Sequence, residues 1–306
     1  MKVLCIGLAV MDISARNISQ KAVWEEKQSI SQISVQLGGD AVNQCLYLNR
    51  LQMDPALNIA IGPDSTGEML TGALRQQGID TGYVRMKEGQ RTGTSLILID
   101  ENGERRIFSV SGAERSLCMQ DLPYPFPDDL KAISLASLYG LDCLERDGLD
   151  AYLAEARKKG VLVFADTVYD KDGLGLKGIE HLLPHIDYFL PSSYEAASLT
   201  GTNTPKETAA FLRACGVQTA IVKCGADGVY VDGPAYQGPI PAMQVDPLDT
   251  TGAGDCFAAC LISTILSGYP VEEACRLSCR ASSWSTLSLG ASTANVTWDL
   301  IHSLED

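Results

Sequence analysis

The sequence predicts an α/β fold in which a central, mostly parallel sheet carries helices on both faces. Short apolar runs of strand length alternate along the chain with segments of helical periodicity. Runs that are apolar at consecutive positions suit strands buried on both faces, as in a parallel sheet. Two stretches with polar–apolar alternation break this rhythm and predict a smaller second sheet.

The predicted elements follow one another as strands and helices. Strands are expected at residues 3–9, 57–61, 133–138, 161–165, 187–190 and 219–222. Helices are expected at residues 40–50, 68–77, 149–159, 179–183 and 256–266. Gly78 ends the second helix, since glycine readily adopts the left-handed conformation found at helix ends. Residues 223–230, which read KCGADGVY, predict a strand, a tight turn and a further strand.

The two alternating stretches lie at residues 31–37 and around a hairpin. Residues 94–99 and 105–110 flank Asn102-Gly103, a dipeptide favoured by tight hairpin turns. Strands with one polar face do not belong in a sheet buried on both sides. They therefore predict a small β lid or a dimer contact, with a plain surface hairpin as the alternative.

The chain is expected to form a single domain over residues 1–306, with the lid built from inserts at approximately residues 14–37 and 91–112. The apolar faces of the lid strands could also pair between two subunits, which would make a homodimer. Residues 1–11 predict a buried first strand rather than a signal peptide, because Asp12 interrupts the apolar run and no cleavage site follows.

Charge and composition exclude several classes of protein. The chain has 24 Lys and Arg against 38 Asp and Glu, a formal net charge of −14. Such a field repels nucleic acid and anionic membrane surfaces. No apolar stretch reaches the roughly 18 residues of a membrane helix, so a soluble, cytoplasmic protein is expected. With 10 cysteines but no Cys-x-x-Cys, and 3 histidines, the cysteines are interpreted as small buried apolar side chains.

A glycine-rich bend precedes the predicted helix at residues 256–266. Residues 249–255 read DTTGAGD, and their glycines leave backbone amides uncovered at the start of a helix. Such amides, with the helix dipole, form an anion pocket suited to phosphate. Asp255 is placed to accept a proton from an attacking hydroxyl, although the dipole should keep it ionised and hence a weak base. The alternative is that Asp255 only caps the helix.

Residues 249–255 resemble the C-terminal signature of the ribokinase-like (PfkB) carbohydrate kinase family. Residues 38–43, GGDAVN, are similar to its N-terminal signature. The resemblance also covers residues 61–67, the hairpin ending at residues 112–113, Glu195 with residues 199–201, and residues 223–230. Two signatures about 200 residues apart in the expected order are a specific match. No Gly-x-Gly-x-x-Gly follows the first strand and no Gly-Lys-Ser/Thr occurs, which argues against a Rossmann or P-loop site.

The resemblance implies ATP-dependent transfer of the γ-phosphoryl group to a sugar hydroxyl. It implies Asp255 as the base and Gly252, Ala253 and Gly254 as the anion hole. It implies an acceptor site at Asp12, Gly38, Gly39 and Asn43, and a nucleotide site at Lys223, Gly225, Gly228 and Thr251. Asp40 is a polar group beside the acceptor positions and is a candidate for selecting among hydroxyl patterns. It implies Mg²⁺ at Glu195, and it allows K⁺ near Asp249 and residues 288–292.

The match departs from the family pattern at Ser192, where Asn usually stands three residues before the magnesium-linked Glu195. A hydroxyl supplies only one donor to a metal-bound water, so weaker magnesium handling is expected. A phosphorylated acceptor would need a second cationic pocket, for which Arg91, Arg105 and Arg106 are candidates, although solvated surface charges are the simpler interpretation. The sequence thus favours an unphosphorylated, ribose- or fructose-like sugar. The alternatives are an adenosine-like nucleoside, or a non-catalytic sugar or nucleotide sensor with the same fold.

Overall fold

A mostly parallel sheet forms the centre of the structure, a computed structural model that describes residues 2–19, 29–30, 32–100 and 105–304. The strands are β1 (Lys2–Ile6), β2 (Val10–Ile18), β3 (Gln32–Gly38), β4 (Asp54–Asn58), β5 (Ala60–Ile61), β6 (Arg85–Met86), β7 (Gly93–Asp100), β8 (Arg105–Val110), β9 (Leu130–Leu138), β10 (Leu162–Thr167), β11 (Tyr188–Phe189), β12 (Thr219–Lys223), β13 (Val229–Asp232) and β14 (Gln237–Ile240). The helices are α1 (Asp40–Arg50), α2 (Ser65–Gln76), α3 (Asp142–Arg146), α4 (Leu149–Lys158), α5 (Ser193–Thr200), α6 (Pro205–Ala214), α7 (Ala253–Leu266), α8 (Val271–Ser285) and α9 (Trp298–Ser303).

In the described part of the chain the main sheet has the strand order β14-β13-β12-β11-β10-β9-β1-β4. Neighbouring strands from β4 to β12 pair in parallel, while β13 and β14 add an antiparallel edge. The predicted α/β class with a mostly parallel sheet is therefore confirmed. The antiparallel edge begins at the strand–turn–strand that residues 223–230 predict.

Both faces of the sheet are buried, as the consecutive apolar residues require. Val3 and Cys5 of β1 belong to the core beneath α1, α7 and α8. Leu4 and Ile6 belong to the core on the opposite face, beneath α4 and α6. Successive side chains of a strand point to opposite faces, so a strand covered on both sides must be apolar throughout.

A second sheet, in the order β3-β2-β7-β8, packs outside the main sheet. The two predicted alternating stretches become β3 and the antiparallel pair β7 and β8. The Asn102-Gly103 turn lies outside the described residues. Strand β2, which was not expected from the sequence, lies parallel to β7 and links the first strand of the main sheet to this second sheet.

Four predicted elements differ clearly from those observed. The strand expected at residues 57–61 is divided between β4 of the main sheet and β5, which pairs with β6 in a separate two-stranded sheet. The strand expected at residues 3–9 ends at Ile6, because the chain leaves the main sheet to enter β2. Helix α2 starts at Ser65, earlier than expected, because the Asp64 carboxylate caps it by accepting a hydrogen bond from the Gly67 N–H. The α-helix expected at residues 179–183 is wrong: the chain there forms turns and short 3-10 segments, one of which contains Pro184.

The cysteines largely follow the sequence interpretation. Six cysteines are buried and not joined in disulfides: Cys5, Cys45, Cys256, Cys260, Cys275 and Cys279. Within the described residues, no three His, Cys, Asp or Glu side chains are grouped so that they could hold a metal ion. A helix with the length and hydropathy needed to cross a membrane is also absent from the described part of the chain.

The core of the sheet yields a stability prediction. Phe164 of β10 is fully buried and stacks on Tyr188, with ring centroids 4.7 Å apart. We expect Phe164→Ala to lower the free energy of unfolding by about 3–5 kcal/mol, because a cavity replaces the ring. Phe211 of α6 is 40% exposed, so Phe211→Ala should cost less than about 1 kcal/mol. Urea denaturation of both variants tests this, and equal losses would contradict it.

Candidate active site

The glycine bend turns the chain sharply at the start of α7. Gly252 has φ +75°, and a Cβ atom there would lie 1.9 Å from the carbonyl oxygen of Ala291. No other residue fits this position, because the conformation is left-handed and the space is filled by backbone. The N–H groups of Gly252, Gly254 and Asp255 have no hydrogen-bond partner among the described residues, whereas that of Ala253 makes a 3.3 Å bond to the Thr250 carbonyl. The bend therefore exposes donors at the positive end of a helix.

Asp255 lies in the first turn of α7 with 8% of its surface exposed. Asn43 Nδ2 donates to its Oδ2 at 2.9 Å, and Gln44 Nε2 donates to its Oδ1 at 3.2 Å. Burial raises the pKa of Asp255 to about 7, although both amide donors oppose this rise. The expectation of a weak base is therefore wrong, because removal of the carboxylate from water outweighs the dipole of the helix.

A cavity of about 470 Å³ opens beside this carboxylate. It brings together most of the predicted nucleotide and catalytic residues with one acceptor residue, Asp40, and one metal residue, Glu195. The others that line it are Lys223, Gly225, Gly228, Gly252, Ala253, Gly254 and Asp255. Thr251 does not, and instead lines a smaller cavity together with Asp12 and Asp249. The large cavity thus joins the turn after β12 to the start of α7.

Lys223 forms an ion pair with Asp166, a residue that the sequence analysis overlooked. Burial opposes the charge on Lys223, but the neighbouring carboxylate prevails and raises the pKa of this lysine. Burial also raises the pKa of Asp166, to about 6. The Lys223 ammonium lies 3.1 Å from the point where a Cβ on Gly254 would stand, so it adds a cation to the exposed donors of the bend. Asp166 could have been suspected because it stands at the carboxyl end of a parallel strand.

At Gly38 and Gly39 of the first signature, neighbouring groups fill the space that a side chain would occupy. A Cβ on Gly38 would lie 2.1 Å from Asp12 Oδ2, and Gly39, with φ +96°, would place one 2.5 Å from the Leu8 carbonyl oxygen. Asp12 stands on β2, opposite Gln36 of β3, so the second sheet carries this carboxylate to the edge of the main domain. Burial raises the pKa of Asp12, although a hydrogen bond with Ser95 opposes the rise.

Asp40 and Asn43 lie on the first two turns of α1. Ser137 Oγ donates to Asp40 Oδ2 at 3.1 Å. Burial, together with the nearby carboxylates of Asp255 and Asp166, raises the pKa of Asp40 well above its usual value. Asn43 is 4% exposed, and its Oδ1 atom is buried without a hydrogen-bond partner in the described structure. A donor hydroxyl would satisfy that oxygen.

The two predicted metal residues lie in different cavities. Glu195 Oε2 accepts hydrogen bonds from the backbone N–H of Ser192 at 2.9 Å, from the Ser192 hydroxyl at 2.6 Å and from the Thr167 hydroxyl at 3.1 Å. The Ser192 hydroxyl in turn accepts from the Glu195 backbone N–H, which makes Ser192 the N-cap of α5. The Asp249 carboxylate accepts from the N–H groups of Thr251 at 2.8 Å and Gly290 at 2.9 Å, and so ties the bend to the loop that follows α8.

Comparison with known proteins finds consistent matches across the chain. The family model described as pfkB family carbohydrate kinase matches residues 1–298. The ribokinase of Arabidopsis thaliana is 30% identical over 266 residues, covering 83% of this chain and 68% of that protein.

Solved structures are similar over nearly the whole chain. The fructokinase of Vibrio cholerae O395, solved with fructose, ADP and calcium, matches with a TM-score of 0.82 at 20% identity and covers 99% of this chain and 98% of its own. The aminoimidazole riboside kinase of Salmonella enterica, solved with aminoimidazole riboside and an ATP analogue, has a TM-score of 0.80 at 23% identity, with 99% of each chain covered.

Helix α7 offers a matched pair of glycines for testing the bend. Gly268, just beyond its other end, also has a left-handed φ of +88°, but a Cβ there would meet nothing within 4 Å. We expect Gly252→Ala to lower phosphoryl transfer at least about 10²-fold, because displaced backbone donors no longer meet the transferred group. Gly268→Ala should cost about 1–2 kcal/mol of stability through its backbone conformation alone, and leave turnover intact. Similar turnover in the two variants would contradict a catalytic role for the bend.

Proposed function

The chain belongs to the pfkB family of carbohydrate kinases and is an ATP-dependent sugar kinase, and we propose that its acceptor is a small unphosphorylated sugar of the ribose or fructose type. As a phosphotransferase with an alcohol acceptor it uses ATP and a metal ion. The observation that carries the assignment of the site is the position of Asp255, which lines the large cavity together with Gly252 and Gly254 of the bend.

In this proposal ATP occupies the large cavity. The turn containing Gly225 and Gly228 lies along the nucleotide, and the Lys223 ammonium, which lies beside Gly254, adds a positive charge next to the bend for the phosphates. Thr251 lines the smaller cavity, and its part is to hold the bend, because its backbone N–H donates to the Asp249 carboxylate. The N–H groups of Gly252 and Gly254, with the dipole of α7, stabilise the negative charge of the transferred phosphoryl group. The N–H of Ala253, the third residue of the predicted anion hole, already donates to the Thr250 carbonyl.

The acceptor is proposed to lie against Asp12, Gly38, Gly39, Asp40 and Asn43. The unpaired Asn43 Oδ1 supports this position, since a hydroxyl beside Asp255 would donate to it. The proposed acceptor site thus contains three carboxyl groups, of which Asp40 and Asp255 line the large cavity and Asp12 lines the smaller one. A phosphorylated acceptor would place its own negative charge among them, so an uncharged polyol is the better match.

Asp255 acts as the general base. As the acceptor oxygen attacks the γ-phosphorus, the hydroxyl proton passes to the carboxylate and the bond to the leaving ADP oxygen breaks. A pKa near 7 suits this role at neutral pH, because the group is partly ionised and still basic enough to take the proton. In a loose transition state the proton moves late, so the position of the carboxylate matters as much as its basicity.

We assign Mg²⁺ to Glu195 and K⁺, if it is used, to the neighbourhood of Asp249. Glu195 lines the large cavity, and its hydrogen bonds fall on Oε2, which leaves Oε1 for metal-bound water. A magnesium ion on the ATP phosphates would neutralise charge on them. Because the Ser192 hydroxyl is committed to the helix cap, magnesium binding should depend mainly on Glu195.

The second sheet is proposed to act as a lid and as a contact between two subunits. Asp12, Ser14 and Gln36 face the smaller cavity, while the opposite face carries Ile33 and Phe108, which are 65% and 59% exposed. A sheet that is polar toward the site and apolar toward solvent suits pairing with a second copy. The acidic net charge of −14 supports neither nucleic acid nor anionic membranes as partners.

The acceptor is tested by ADP release with ATP, magnesium and a panel of compounds. The panel contains ribose, fructose, ribose 5-phosphate, fructose 6-phosphate and adenosine. We expect release with a free sugar and little with its phosphate. Preference for adenosine would replace the sugar with a nucleoside, whereas saturable binding without ADP release from any compound would support a sensor instead of an enzyme.

The base is tested by Asp255→Asn. We expect turnover to fall at least about 10²-fold with ATP affinity nearly unchanged, because only the proton acceptor is removed. Wild-type turnover should rise as the pH increases through about 7, since the base is active when ionised. Asp299→Asn, an exposed aspartate in the first turn of α9, controls for the loss of a helix-end charge. Near-normal turnover of Asp255→Asn would overturn the assignment.

A further inference from the structure

Gln44 is a buried amide that none of the sequence motifs identified. It belongs to α1, and its fully buried side chain contacts β9 and the start of α7. Its Nε2 donates to Asp255 Oδ1 at 3.2 Å, and its Oε1 accepts from the Ser134 hydroxyl at 2.6 Å. Gln44 thus links the centre of the main sheet to the proposed base.

The two contacts of Gln44 fix the orientation of its amide. If the amide were rotated by half a turn, its Oε1 would face the carboxylate and two acceptors would meet. The Ser134 hydroxyl would then have to accept from Nε2 instead of donating to Oε1. Asp255 and Ser134 therefore favour the same orientation, and a buried amide with both ends satisfied is held firmly in place.

The electrostatic surroundings of Asp255 give this contact its importance. The titratable groups that act on Asp255 from the elements around it are Asp40 and Tyr47 of α1, Asp166 of β10, Lys223 of β12 and Cys256 of α7 itself. Among them only Lys223 carries positive charge, and it is paired with Asp166. The ionised carboxylate consequently depends on the amides of Asn43 and Gln44 for direct hydrogen bonds.

We propose that Gln44, held in place by Ser134, is a positioning residue that keeps the Asp255 carboxylate ionised and correctly oriented toward the acceptor. This proposal rests on the proposed role of Asp255 as the base. Asn43 serves the other carboxylate oxygen and, through its Oδ1, the acceptor. Gln44 has no free polar atom for the substrate, because both ends of its amide are engaged within the protein.

The test is a direct titration of Asp255 in the wild type and in Gln44→Leu. The carboxylate band is followed by infrared difference spectroscopy, and Asp255→Asn identifies the signal. We expect the pKa of Asp255 to rise by about one pH unit in Gln44→Leu, because a hydrogen bond to the charged form is lost. Turnover should then fall about fivefold at pH 7 and recover near pH 9, since fewer carboxylates are ionised at neutral pH.

Two further variants separate this role from general core stability. Ser134→Ala leaves the Gln44 amide in place but removes the hydrogen bond that fixes its orientation. The pKa of Asp255 should then also rise, but by less than in Gln44→Leu. Asn58→Ala removes another fully buried amide, which donates to the backbone carbonyls of Tyr83 and Asp121 rather than to Asp255. Asn58→Ala should lower the unfolding temperature without changing the pKa of Asp255.

The proposal is overturned if the titration of Asp255 is the same in Gln44→Leu and the wild type, or if turnover falls equally at every pH from 6 to 9. The infrared titration needs no acceptor, so its outcome is independent of whether the sugar assignment succeeds. If the pKa of Asp255 rises as expected in Gln44→Leu while Asp255→Asn keeps full activity, Gln44 does support the ionised carboxylate, but Asp255 is not the base.

Discussion

The geometry of the site depends on a steric restriction at residue 252, where only glycine fits against the Ala291 backbone. The Ala291 carbonyl occupies the place of a side chain, and the chain must turn through a left-handed conformation to begin α7. That turn aims the first N–H groups of the helix, together with its dipole, at the large cavity. Asp249 reinforces the geometry, because its carboxylate accepts from Thr251 on one side and from Gly290 on the other. The bend is therefore held from both sides before any ligand arrives.

The second constraint is the burial of three carboxyl groups beside the bend. The donors at the bend attract anions, yet the protein supplies carboxylates there: Asp40, Asp166 and Asp255. Burial raises the pKa of each of them, and Lys223 offsets only part of the effect. Such a site resists having all three ionised together, so the hydrogen bonds around each carboxylate decide which one carries the charge. For Asp255 these bonds come from Asn43 and Gln44.

Patterns with a local physical cause could be predicted from the sequence. The two-sided burial of strands such as β9 follows from consecutive apolar residues, and the start of α7 follows from the glycines at residues 252 and 254. Features that depend on residues distant in the sequence could not be predicted in this way. The raised pKa of Asp255 depends on packing by α1, and the pairing of Lys223 with Asp166 joins residues 57 positions apart. The apolar segment at residues 179–183 had a helical pattern, but Pro184 and the neighbouring turns prevent a regular helix.

Ser192 illustrates how a departure from a family pattern can be accommodated. Its hydroxyl accepts from the Glu195 N–H at 3.3 Å and donates back to Glu195 Oε2 at 2.6 Å, which makes a reciprocal cap at the start of α5. Thr167, next to Asp166 at the end of β10, donates to the same oxygen. The cap therefore fixes Glu195 relative to the strand that carries Asp166. A shorter side chain gives up a donor for metal-bound water, but it holds the proposed magnesium residue in a defined orientation beside the cavity.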